Sequence, residues 1–295
     1  MDFSVVIPAH NEAENIGPLI REVVAVLAGG GGGSGVAAAV GVGGGSGVGA
    51  AVGGGGGRGV GAGRGVGAGW EIVVVDDGST DGMDGRLAEL SREIASLRVV
   101  RHPACRGQSF AIATGVRAAR GTWIATLDGD GQNDPADLPK LLALRTGPRV
   151  GAGAGSGEGG GAAAVGARSG ESGAAPGPLL LAGYRRRRRD TWLKRVSSRV
   201  ANAVRGRMLG DRTPDTGCGL KVFEREAFLA LPHFDHMHRF LPALFLRAGG
   251  RVVSVEVGHR PRARGVSHYG MWNRLWVGIV DLLGVWWLIR RGERR

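Results

Sequence analysis

Apolar positions along the chain fall into short continuous runs that alternate with stretches of helical spacing. The first run, residues 3–8 (FSVVIP), is rich in β-branched side chains and predicts a strand covered on both faces. Residues 13–27 then place Ile16, Leu19, Ile20, Val23, Val24 and Leu27 at helical intervals. The alternation recurs in a strand at 70–75 (WEIVVV), a helix at 87–95 and a strand at 97–101. A helix at 109–119 and a strand at 122–127 complete it. This order predicts an α/β fold whose sheet is mostly parallel, with helices on both faces. Ligands bind such sheets beyond the carboxyl ends of the strands, where every polar cluster of the N-terminal half falls.

The C-terminal third has another character. A basic run at 185–189 is followed by a stretch at 199–209, a buried-looking segment at 216–223 and a strand-like run at 252–257. Residues 272–289 are rich in Trp, Leu, Val and Ile but carry Arg274 and Asp281, near the lower limit of the roughly 20 apolar residues that cross a bilayer. An amphipathic helix lying on the membrane interface fits better, with Trp272, Trp276, Trp286 and Trp287 at headgroup level and Arg290, Arg291, Arg294 and Arg295 on anionic lipid.

Composition changes this picture in one respect. The chain has 57 glycines, concentrated in tracts at 29–69 and 147–177 that lack usable periodicity and cannot offset their ordering entropy. They are expected to be disordered insertions in an α/β domain spanning 1–260, with 261–295 forming a loop and the membrane-associating segment. A net charge of +12 favours anionic partners. Cys105 and Cys218 form no CxxC pair, and the N-terminus opens on a strand, so a reducing, cytoplasmic location is expected.

Candidate chemistry centres on Asp128-Gly129-Asp130-Gly131-Gln132 after the fourth strand, where two carboxylates two residues apart on a turn can face one hard divalent cation, Mg²⁺ or Mn²⁺. Asp76 and Asp77 end a neighbouring strand, placed to accept hydrogen bonds from a base or ribose, and Pro8-Ala9-His10-Asn11-Glu12 supplies another polar wall. The histidines of HFDHMHR (233–239) have no matching Cys or His pair for structural zinc. His236 and His238 are expected near an acceptor entrance or on the surface.

Taken together, VVIPAHNE, VVVDDGSTDG, RGQSFAIATGV and TLDGDGQNDP resemble family 2 glycosyltransferases of the GT-A fold. The C-terminal half resembles the polyprenyl-phosphate branch of that family in Gly183-Tyr184-Arg185, Ser198-Arg199 with Asn202, residues 215–221 (DTGCGLK) and residues 264–269 (RGVSHY). The family usually has Ser-Gly-Phe where this chain has Gly217-Cys218-Gly219, and Lys where it has His268. The resemblance implies a nucleotide-sugar donor held by Pro8, His10, Glu12, Asp76, Asp77, Gly107 and Asp128, and a metal beside Asp130 and Gln132. It further implies that Arg185, Arg199, Arg264 and Ser267 receive the phosphate of a polyprenyl-phosphate acceptor, with Asp128, Asp130 and Arg199 carrying catalysis.

The implied reaction inverts the anomeric centre and moves a sugar from GDP-mannose or a UDP-sugar to dolichyl or undecaprenyl phosphate. It would take place at the inner face of a membrane, with a membrane-protein partner as a further expectation. The same family resemblance also admits a cell-wall or lipopolysaccharide glycan as acceptor. Processive polysaccharide synthases share the N-terminal half, but their Gln-x-x-Arg-Trp signature is missing. A basic nucleic-acid-binding protein is disfavoured, since RRRRRD offers no interleaved aromatic or groove-reading side chains.

Overall fold

The computed structural model describes residues 1–29, 69–145, 163–165, 177–185, 204–211, 213–261 and 271–291. Most of the first glycine tract, and Arg186–Arg189, Arg199, Arg264 and Ser267, lie outside these residues. Among the described residues β1 (Phe3–Ala9), α1 (Ala13–Leu27), β2 (Trp70–Asp76), α2 (Met83–Glu93), β3 (Leu97–Arg101), α3 (Gln108–Ala118) and β4 (Trp123–Thr126) follow one another. A 3₁₀ turn (Pro135–Asp137) and α4 (Leu138–Leu144) come next, then β5 (Ala163–Val165) and β6 (Leu179–Arg185). The helical segment α5 (residues 204–209) precedes β7 (Lys221–Glu224), α6 (Arg225–Leu229) and a second 3₁₀ turn (Met237–Arg239). The chain continues through α7 (Leu241–Arg247) and β8 (Arg251–Val257) to α8 (Met271–Arg290).

One sheet runs in the order β3-β2-β1-β4-β7-β6-β8-β5. Strands β1 to β4 are mutually parallel, with Phe3 opposite both Trp70 and Trp123. Pairing turns antiparallel at β4–β7 and β7–β6, returns to parallel at β6–β8, and is antiparallel again at β8–β5. All seven residues of β1 are buried, as a strand covered on both faces requires. Its side chains alternate between two cores. Phe3, Val5 and Ile7 join α1, α2 and α4 on one face, whereas Val6 joins α3, α7 and Val285 of α8 on the other.

Two local readings are corrected. Helix α2 begins at Met83, four residues before the predicted start, because Met83, Leu87 and Leu90 make one buried stripe while the polar Asp84-Gly85-Arg86 hides its first turn from a periodicity count. Within the second tract, expected to lack regular structure, Ala163–Val165 pairs with Val252–Ser254 as a three-residue edge strand. Its backbone ladder, which leaves no mark on hydrophobic periodicity, supplies the order.

Candidate active site

The chain runs from β1 through β2 to β3 on one side, then crosses by α3 to β4 on the other side of β1. The carboxyl ends of β1 and β4 flank this reversal. A cavity of about 500 Å³ opens there, lined by Pro8, Gln108, Asp128 and Gln132 together with Arg185, residues 214–219, Lys221 and residues 238–239.

The ledge beside it is knitted from the ends of β1 and β2. His10 donates through Nδ1 to the Asp77 carbonyl (2.8 Å). Asn11, at φ 55°, donates its amide to Ser79 Oγ and accepts the Thr80 amide at Oδ1. Glu12 accepts from Asn15 Nδ2 at 2.6 Å. The buried Asp77 carboxylate accepts the amides of Arg106 (2.9 Å) and Gly107 (2.8 Å) and stands 2.7 Å from His102 Nδ1. Burial pushes its carboxyl up, but the His102, Arg106 and Gly107 hydrogen bonds more than offset this and hold it below the usual range. Asp77 thus fixes the loop entering α3, and Gly107, at φ +90°, turns that loop where a side chain would be strained. Asp76 accepts the Ser79 amide at 2.9 Å and faces Arg101 Nε at 3.3 Å.

The acidic turn after β4 forms the cavity floor. Asp128 accepts from Gln108 Nε2 at 2.7 Å, and its amide donates to Asn133 Oδ1. Asp130 accepts the Gln132 amide at 3.1 Å. Burial first, and then the charge of Asp130, push the Asp128 carboxyl up to about 6 against the opposing pull of Lys221, Arg185 and Gln108. Gly219 lies so close that a Cβ there would meet the Asp128 carboxylate at 2.2 Å. The turn is braced from behind by the Arg260 amide on the Gln132 carbonyl (3.0 Å), and the Arg260 side chain clasps both oxygens of Glu22 and one of Asp134. Among the described residues no group of three or more His, Cys, Asp or Glu side chains could hold a metal unaided.

The rest of the lining is cationic. Arg185 grips Asp215 with two hydrogen bonds, Nε–Oδ2 at 2.6 Å and Nη2–Oδ1 at 3.1 Å. Buried Lys221 donates to the carbonyls of Thr216 and Cys218, and burial lowers its pKa. His238 stands with Nδ1 2.7 Å from Ser109 Oγ, which also accepts its amide. Burial, with Lys221, Arg239 and His236 nearby, drives His238 well below the ordinary imidazole range, so the ring is neutral.

Of the residues singled out in the sequence, Pro8, Asp128, Gln132 and Arg185 line the cavity; His10, Glu12, Asp76, Asp77, Gly107 and Asp130 do not. Gln108, Asp215, Lys221 and Arg239 were not anticipated in the wall, whereas His238, expected near an acceptor entrance or on the surface, lines the cavity. Gln108 and residues 215–221 lay inside motifs already noted, but no local pattern shows which side chain of HFDHMHR turns inward.

A family model described as Glycosyl transferase family 2 matches residues 67–231. The chain is 28% identical over 298 residues to "Dodecaprenyl-phosphate galacturonate synthase" of Rhizobium johnstonii, the match spanning all of this chain and 69% of that protein. It is 30% identical over 207 residues to "Undecaprenyl-phosphate 4-deoxy-4-formamido-L-arabinose transferase" of Edwardsiella ictaluri, spanning 68% of this chain and about half, 54%, of that one. Among solved structures, glucosyl-3-phosphoglycerate synthase from Mycobacterium tuberculosis, in complex with Mn²⁺, UDP and glucosyl-3-phosphoglycerate, shares the fold. Its TM-score is 0.55 at 18% identity, over 96% of this chain and 78% of that one.

Proposed function

The chain is a glycosyltransferase belonging to glycosyl transferase family 2, and on that premise we propose that it moves a sugar from a nucleotide-diphospho-sugar to the phosphate of a polyprenyl phosphate. One observation carries the reading: a single cavity sets an acidic floor, Asp128 with Asp130 beside it, against a cationic wall. Such a site suits bringing two anions together, the acceptor phosphate and the departing nucleoside diphosphate. The polyprenyl-phosphate substrates in the names of both curated relatives support the choice of acceptor.

Asp128, Asp130 and Gln132 would hold a divalent cation, Mg²⁺ or Mn²⁺. The crowding that raises Asp128 to about 6 fits this assignment, and two carboxylates leave the remaining positions to substrate and water, as these cations favour. When bound, the cation neutralises charge on the diphosphate. Pro8, His10, Glu12, Asp76, Asp77 and Gly107 form the nucleoside side of the site, Asp77 chiefly by fixing the 105–107 loop. An acceptor phosphate oxygen attacks the anomeric carbon as the bond to the diphosphate breaks, with inversion. A phosphate monoester, with a second pKa of about 6, is largely ionised near pH 7, so no strong base is needed. The family resemblance adds Arg185, Arg199, Arg264 and Ser267 as acceptor-phosphate contacts. At Arg185 the phosphate would share the guanidinium with Asp215.

The acceptor's membrane is met through α8. Val285 packs into the core while Val280, Leu283 and Trp287 stand 65%, 52% and 55% exposed along the outer face, and Arg290 and Arg291 lie over the rings of Trp286 and Trp287. No described helix is long and apolar enough to cross a membrane. These features support peripheral attachment on the side where nucleotide sugars are available. The test is incubation with Mg²⁺ or Mn²⁺, undecaprenyl phosphate and a panel of radiolabelled nucleotide sugars. Label entering the organic phase supports the proposal, and label confined to the aqueous phase with every donor would overturn it.

A further inference from the structure

Three cations line the cavity among its described residues, and two of them are spoken for. Arg185 is held by both oxygens of Asp215, and Lys221 is spent on two main-chain carbonyls. Arg239 alone among them makes no side-chain hydrogen bond or ion pair with a described residue, although it is only half-exposed in the same wall. Its neighbour His238 is locked from behind by Ser109, which occupies Nδ1 and the amide and leaves Nε2 for the cavity. The short Met237–Arg239 turn, which carries both side chains, is anchored in the core by buried Met237 and Phe240.

A guanidinium with no side-chain partner among the described residues, beside a fixed imidazole and in one cavity with an acidic floor, is an arrangement for receiving an oxyanion. The floor needs no further anion, and the arginine would gain a partner without displacing any group of the described residues. We propose that Arg239, oriented with His238, binds the phosphate monoester of the acceptor and is a specificity-determining contact for it. This assignment rests on the acceptor class proposed above and names a residue that the family resemblance did not supply. Arg185, held by Asp215, then shapes the wall around that phosphate or engages it second.

Two measurements test it on the full-length chain. The first is binding of farnesyl phosphate by isothermal titration, without donor, to wild type, Arg239→Ala and Arg239→Lys, each checked for an unchanged melting temperature. Wild type should bind, alanine should weaken binding about 10- to 100-fold, and lysine should recover part of the loss, since it keeps the charge but not the fork. The second is steady-state kinetics with undecaprenyl phosphate. Arg239→Ala should raise the acceptor KM by a similar factor and move the donor KM less than about twofold. Equal binding by wild type and Arg239→Ala, or no binding by wild type, overturns the proposal. A rise in donor KM alone also overturns it, placing Arg239 against the diphosphate or an acidic sugar. If wild type binds farnesyl phosphate through Arg239 yet transfers no sugar to any polyprenyl phosphate, the phosphate contact stands and the broader reading of the reaction falls.

Discussion

Gly219 brings the main chain against Asp128 so tightly that any side chain there must push the carboxylate aside. Gly219→Ala should therefore lower kcat/KM by about 100-fold, the order of loss a misplacement of roughly 1 Å can cause, while the melting temperature changes little. Steady-state kinetics beside a thermal melt checks this, and unchanged turnover would show that the carboxylate has room to move. Asp77 illustrates a different economy. Its folded pKa is depressed, so its contribution to stability is complete above pH ~4 and is lost as pH falls through the lower folded value. Asp77→Asn should cost about 2 to 4 kcal/mol at pH 7, because an amide cannot accept from Arg106 and Gly107 as a carboxylate does. The gap between the two proteins in urea denaturation should narrow as pH falls below about 4, whereas a gap independent of pH would place the effect elsewhere. That Asp128 ends a strand at a chemically useful turn was legible in the sequence. That Asp77 fixes a loop was not, since its partners sit 25 to 30 positions away.

At the scale of elements, the sequence announced β1, β2, β4 and β8 clearly, because largely buried strands must be almost continuously apolar, and it also announced β3, an edge strand buried only at Leu97. The antiparallel β7 and edge strand β5 are short, and their register depends on partners far along the chain. Helix α8 was anticipated to within one residue at each end, but only packing shows which side faces inward. That division makes a test possible. Leu283→Glu, on the outer stripe, should leave the melting temperature intact and release the protein from anionic vesicles in a sedimentation assay. Val285→Glu, on the inner side, should lower the melting temperature by burying a carboxylate among apolar neighbours. Vesicle binding unaffected by the first substitution would remove α8 from the membrane contact.

For the molecule as a whole, the two cavity walls come from different halves of one sheet. The floor after β4 ends the parallel half, and the wall from β6, β7 and the Met237–Arg239 turn belongs to the mixed half. With the divalent cation at its proposed place, Mn²⁺ at about 100 times its Kd should raise stability by about 2.7 kcal/mol, read as a melting shift of several degrees. Asp130→Ala should lose both this shift and transfer, and EDTA should stop turnover by wild type. Turnover at full rate in excess EDTA would refute the metal assignment. The line between β4 and β7, where strand direction reverses, is also a seam between two tasks. On the proposed assignment, one half of the sheet meets the acceptor and the other grips the nucleotide, and four paired positions join the two halves there. A chimera that keeps residues 1–145 and takes the remainder from a relative with another acceptor should change its lipid preference and retain its donor.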